Sequence, residues 1–167
     1  NCTIGCEKIL VTTDSAPESK GRMEYESAFA LGPLVGVADS NAVIRASLYC
    51  DQVGMDTISA GGTVAWAMEC FEKGILTAED TGGVDLRFGD EQALMGCLNA
   101  IAERRGLGDL LAEGSRRASE VVGRGTQQWA MHVKGLEMPG YEPRSLKTMA
   151  LGLAVSTRGA CHNRSSA

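Results

Sequence analysis

Long apolar runs are missing from this chain. Its most apolar stretch, residues 28–38, is interrupted by Gly32, Pro33 and Gly36. A membrane span needs ~20 consecutive apolar residues, so a membrane-embedded role is excluded. Basic runs are missing too. Lysine and arginine number 16 against 21 acids, for a net charge of −5. That balance argues against nucleic acid or an anionic lipid surface as partner. Aromatic residues are few at 5%. There is no phosphate loop, no Rossmann glycine fingerprint and no Gly-x-Ser-x-Gly elbow. No signal peptide is visible, although a start cut inside a motif would hide one.

The 167 residues suit one domain, or one domain plus the start of another, and bury a core without staples. Six cysteines stand at Cys2, Cys6, Cys50, Cys70, Cys97 and Cys161. A chain of this size with a strong helical pattern needs no disulfides. Reduced thiols in a cytoplasmic or anaerobic setting are expected. Cys50, Cys70 and Cys97 read as small core residues.

Helical periodicity dominates. A helix is predicted from Asn41 to Val53, capped by Asp39 or Ser40 and stopped by Gly54. A second starts after Asp56 and ends at Gly74. A third follows Asp90, with Leu94, Cys97, Leu98 and Ile101 as its apolar stripe. A fourth spans Asp109 to Val122, bent at Gly114. Residues 75–89 read as a loop. Gln128 to Val133 is the best strand candidate, and a last helix spans Leu146 to Val155. Residues 123–125 and 138–143 are the linker-like points. The class is mainly α. Trp66 and Trp129 read as core residues, and His132 as structural or surface.

Four features carry chemistry, and each has a plainer account. Cys2-Thr-Ile-Gly-Cys6 suits iron–sulfur ligation, because soft thiolates on a glycine-containing loop can wrap a cluster. Two free thiols, or half a zinc site, would look the same. Asp51-Gln-Val-Gly54-Met-Asp56 joins two helices as a glycine stop and an aspartate cap. The same geometry projects two carboxylates beside free N–H groups. A carboxylate accepts paired hydrogen bonds from an amidine-like edge, such as that of a pterin ring. Arg22-Met-Glu24-Tyr-Glu26 is a solvated charged turn, or else holds a buried acid that accepts a proton near a metal. His162, between Cys161 and Arg164, is a proton carrier near neutral pH or a structural histidine.

Taken in order, these motifs resemble the tungsten-containing aldehyde ferredoxin oxidoreductase family. The resemblance rests on Cys-Thr-Ile-Gly-Cys6, Glu24-Tyr-Glu26, residues 50–59, Ala67-Met-Glu69, Phe71-Glu-Lys-Gly74, Leu86-Arg-Phe-Gly89, Leu111-Ala-Glu-Gly114, Val133-Lys-Gly-Leu-Glu137 and Arg158-Gly-Ala-Cys-His162. It covers essentially the whole chain. It implies a mainly α, multi-helical fold with little β structure. Residues 1–125 would form part of a cofactor-binding middle domain, and 126–167 the start of the next helical domain.

It also implies a tungsten (or molybdenum) bis-pyranopterin and a 4Fe-4S cluster. An aldehyde would be oxidised to a carboxylic acid, with ferredoxin as electron acceptor. By resemblance, Glu26 and His162 are the catalytic acid–base pair. Asp51, Gly54, Asp56 and Thr57 bind cofactor, with Met55 where relatives carry leucine, and Arg164 falls where some carry a cofactor-contacting lysine. Cys2 and Cys6 match the second and third cluster ligands. The first ligand is expected before Asn1 and the fourth after Ala167, so the chain reads as a fragment, inactive alone, whose partners include the missing parts of its own full-length chain. Some relatives bind a metal at a dimer interface through Glu-x-x-His. Arg45 and Leu48 stand there instead, so that metal is not expected and a homodimer stays open. Two other readings stand beside this one: a non-enzymatic helical interaction module or remnant, and a related tungsten-pterin reductase subunit acting on an aromatic acyl substrate. Residues 54–62 and 151–155 are expected to be unusually accessible in the isolated chain.

Overall fold

The computed structural model describes residues 5–14 and 18–164, without the Arg164 side chain. Cys2 therefore lies outside the described residues. The fold is mainly α. A hairpin of β1 (Lys8–Val11) and β2 (Lys20–Met23) leads into α1 (Tyr25–Leu31), α2 (Ser40–Val53) and α3 (Thr57–Glu72). After a long loop come α4 (Glu91–Ala102), α5 (Leu107–Leu111) and α6 (Gly114–Val122). A small hairpin, β3 (His132–Val133) with β4 (Leu136–Glu137), precedes α7 (Lys147–Val155). No helix among the described residues is long and apolar enough to cross a membrane.

Local chemistry sets most boundaries. Asp39, Asp56 and Asp90 each accept a backbone N–H in the first turn of α2, α3 and α4, satisfying donors a helix start leaves free. Gly54 ends α2 in the left-handed region at φ 71, where a β-carbon is costly. The core is α3 wrapped by its neighbours. Val64, Ala67, Met68 and Cys70 have essentially no exposure, and Leu94, Cys97, Leu98 and Ile101 face them from α4. Burial pushes the Cys50 thiol up to about 12, reinforced by Asp51 and Asp56, and the Cys97 thiol up to about 11. Both act as small apolar groups, as expected.

Two expectations are corrected. Gln128 to Val133 is not a continuous strand. Thr126–Trp129 is a 3-10 turn and only His132–Val133 pairs. Tertiary contacts override the local pattern: the Trp66 indole donates to the Thr126 carbonyl at 3.1 Å, and the Thr126 hydroxyl is held by the Ser119 and Gly123 carbonyls. The helix over Asp109 to Val122 is two helices, because Gly114 adopts φ 84 and breaks the ladder. Of the two readings of residues 22–26, the buried acid holds for Glu26, while Arg22 and Glu24 are exposed where β2 passes into α1.

The accessible-face expectation holds in part. Leu151 and Val155 are 64% and 68% exposed, whereas Ala60 and Gly61 are buried. Gly61 sits beneath α1, and a β-carbon there would stand 2.3 Å from the Ala30 carbonyl oxygen. Backbone cannot yield as a side-chain tip does, so Gly61→Ala is expected to destabilise the chain by about 1–3 kcal/mol. Thermal denaturation followed by circular dichroism checks this; an unchanged midpoint would refute the close packing.

Candidate active site

The site is built from the first turn of α1. Residues four apart share a helix face, so Glu26 lies on the side of Ala30, which packs against α3. That register takes the carboxylate inside: Glu26 is only 5% exposed. One oxygen, Oε2, accepts the Gly140 N–H at 2.8 Å. The other, Oε1, is buried and has no hydrogen-bond partner among the described residues. An unsatisfied buried oxygen is costly and calls for a reason.

His162 supplies the adjoining group. It opens the 3-10 turn His162–Arg164 and places Nε2 4.0 Å from Glu26 Oε1. The Tyr141 ring packs at 5.4 Å from the imidazole, and Tyr25 at 5.7 Å from Tyr141. The Tyr25 hydroxyl donates to the Gly140 carbonyl at 2.9 Å. The Gly140 peptide is thus held on both sides by α1. Burial raises the Tyr141 phenol above its ordinary value, with Glu26, Tyr25 and Cys6 adding to the effect. Cys6 lies exposed ahead of β1. Cys161 is buried behind His162, and an Arg158 N–H points at its sulfur at 3.7 Å.

A second cluster begins one residue after Glu26. The Ser27 hydroxyl lies 3.0 Å from that of Thr57. Both line a polar cavity of about 410 Å³ with Asp51, Met55, Asp56, Glu24, Arg22 and Glu7. Arg22 and Glu7 form an ion pair on its wall. Asp56 Oδ1 caps α3 through the Ser59 N–H at 2.8 Å, and Gly54 closes α2 through its own N–H. The plain cap-and-stop account is therefore correct, and it leaves the functional one intact. Asp56 keeps its second oxygen. Asp51 is exposed and makes no side-chain hydrogen bond among the described residues.

The structure thus brings Glu26 to His162, and Asp51, Asp56 and Thr57 to one cavity with Ser27, the residue that follows Glu26 on α1. This donor set fits a pterin: acceptor carboxylates beside two hydroxyls match an N–H-rich ring edge. The orphaned Glu26 oxygen fits a polar or protonated group at a metal. Cluster ligands are another matter. Among the described residues no three metal-binding side chains meet, and Cys6 is the single described member of the expected pair. The sequence pattern did not point to Tyr141, Gly140 or Ser27. The signal for the first two was the Pro139-Gly-Tyr141 turn, which reads as a linker until the fold places it on Glu26.

Known proteins agree with this picture. The family model described as aldehyde ferredoxin oxidoreductase, domains 2 and 3, matches residues 1–167. The chain is 43% identical over 164 residues to the tungsten-containing aldehyde ferredoxin oxidoreductase of Pyrococcus abyssi, covering 96% of this chain and 26% of that protein. An aliphatic sulfonate oxidoreductase, WOR-like subunit, from Pyrococcus furiosus is 35% identical over 180 residues, covering 99% of this chain and 28% of that protein. Among solved structures, the active site complex BamBC of benzoyl coenzyme A reductase, in complex with 1,5-dienoyl-CoA, superposes with a TM-score of 0.67 at 27% identity. That match covers 77% of this chain and 19% of the other. The chain spans about a quarter of the length of the curated relatives it matches. With the motifs, the helical fold and the family model in agreement along its whole length, the chain belongs to the aldehyde ferredoxin oxidoreductase family.

Proposed function

We propose that this chain is part of an oxidoreductase that converts an aldehyde and water to a carboxylic acid, two protons and two electrons. A tungsten–bispterin bound beside the Asp51–Thr57 cavity would supply the two-electron redox chemistry, with a 4Fe-4S cluster, partly held by Cys2 and Cys6, as the outlet to ferredoxin. The observation that carries the reading is the buried Glu26–His162 pair, 4.0 Å apart with one carboxylate oxygen unsatisfied.

The residues divide the work. Asp51 and Asp56 would accept N–H groups of the pterin edge, with the Ser27 and Thr57 hydroxyls beside them in the same cavity. Gly140 fixes one Glu26 oxygen, so the other is presented in one direction. Glu26 takes a proton at Oε1, and His162 Nε2 carries it onward. Tyr141 packs its ring on His162, and Tyr25 packs on Tyr141. We further place residues 1–125 in the cofactor-binding middle domain and 126–167 in the next.

The test uses the full-length protein. Aldehyde-dependent reduction of a viologen dye, with tungsten and iron bound, supports the reading. His162→Asn is expected to lower turnover on the order of 10²–10⁴-fold with metal content unchanged. The benzoyl coenzyme A reductase likeness gives a second outcome. Oxidation or reduction of an aromatic acyl thioester, with no turnover of aldehydes, would replace the first reading. A metal-free, stable full-length protein would replace both with a binding module.

A further inference from the structure

The most deeply held acid outside the site is Glu137, at the end of β4. It is 3% exposed. Its Oε1 accepts the Ser115 N–H and the Ser115 hydroxyl, each at 2.8 Å, and lies 3.4 Å from the Thr63 hydroxyl. The side chain also fits between two glycines. A β-carbon on Gly62 would stand 3.0 Å from its Cβ and Cγ, and one on Gly114 3.1 Å from its Oε1. Glu137 therefore ties β4 to α3 through Thr63 and Gly62, and to the start of α6 through Ser115.

What hangs from this tie is the site itself. The apolar core of α2, α3 and α4 contains no residue of the β3–β4 hairpin. That hairpin belongs to a second, smaller cluster of Met149, Leu153 and Ala160 with Val133, Leu136, Met138 and Tyr141. Glu137 fastens that cluster to the larger one. On one side the chain runs from Glu137 to Gly140, whose N–H holds Glu26, and to Tyr141, whose ring packs on His162. On the other, Gly159 packs directly on the Val133 carbonyl, where a β-carbon would stand at 2.3 Å, and Lys134 Nζ donates to the Ser156 carbonyl at 2.9 Å. These contacts set the segment that carries His162. The peptide N–H that holds Glu26 and the segment that carries His162 are thus both joined to one hairpin over α3.

We infer that Glu137 is a positioning residue: through its length, rather than its charge, it sets the separation of Glu26 and His162. This rests on the proton-transfer role proposed for that pair. A displacement of about 1 Å at a reacting geometry costs on the order of 10²-fold in rate.

Two substitutions in the full-length enzyme separate length from charge. Glu137→Gln keeps the length and an acceptor oxygen for Ser115. Glu137→Asp keeps the charge but draws the hairpin in by one carbon–carbon bond. Glu137→Gln should leave kcat within about 2-fold and the pH–rate profile unmoved. Glu137→Asp should lower kcat on the order of 10- to 100-fold, with KM nearly constant, and displace the limb of the profile that Glu26→Gln removes. Ser115→Ala, which deletes one donor and keeps the peptide N–H, should displace that limb in the same direction by less. The inference fails if Glu137→Asp and Ser115→Ala leave the profile unmoved, or if Glu137→Gln is the worse of the two Glu137 variants. A different result sinks the parent reading instead: Glu26→Gln with an unaltered pH profile.

Discussion

Replacing Glu26 with glutamine in the full-length enzyme should lower turnover on the order of 10²–10⁴-fold, the range that removal of a positioned acid or base produces. The amide keeps the shape of the carboxylate, and its oxygen can still accept the Gly140 N–H, so the 2.8 Å contact survives. What it loses is the ability to take a proton at the atom now unsatisfied. Binding residues on the 51–57 loop are untouched, so tungsten and iron content should match the wild type. Inductively coupled plasma mass spectrometry, read alongside dye reduction, checks both halves. Turnover near the wild-type value would refute proton transfer at Glu26. An equal fall in metal content would move Glu26 to a binding role.

The origin of that orphaned oxygen explains why Glu26 is a sharper target than its neighbour Glu24. Both acids lie in one short motif, and composition cannot separate them. The helix does. Glu24 precedes α1 and stays exposed, whereas Glu26 shares a face with Ala30 and is carried against α3. Gly61 permits that approach, because any side chain there would meet the Ala30 backbone. A buried carboxyl group with an unsatisfied oxygen sacrifices stability, and such local conflicts between fold and sequence concentrate at functional sites.

How much of this was legible in the sequence differs by element. The α2–α3 junction was read nearly to the residue, because Gly54 and Asp56 obey local rules that no tertiary contact overrides. The stripe Leu94, Cys97, Leu98, Ile101 on α4 was equally plain, since its period alone fixes the buried face. The β1–β2 hairpin was not read. Its strands are four residues each, Ile9 is exposed, and its stability comes from packing of Gly21 beneath Leu48 of α2. The convergence of Glu26, Tyr141 and His162 was invisible to spacing, since 114 residues separate Glu26 from Gly140. Family resemblance supplied Glu26 and His162, and the fold supplied Tyr141 and the Gly140 peptide between them.

The interhelical acids permit a test in which the structural and binding roles predict opposite results. Asparagine caps a helix as well as aspartate does. Asp51→Asn with Asp56→Asn should therefore leave α3 capped through Ser59, and the circular dichroism spectrum of the full-length protein unchanged. The pterin edge would be affected differently. Each asparagine offers an oxygen on one side and a competing N–H donor on the other, so paired acceptance is lost. Hydrogen bonds to a charged partner are worth roughly 1.5–3 kcal/mol each. Losing two of them weakens cofactor retention by on the order of 10²–10⁴-fold, since 1.4 kcal/mol is tenfold. The double variant should come off a desalting column folded and depleted of tungsten, with aldehyde oxidation falling in proportion. Tungsten retained at the wild-type level in a folded double variant would reduce Asp51 and Asp56 to their capping role. The pterin would then have to be held by other residues of the full-length protein.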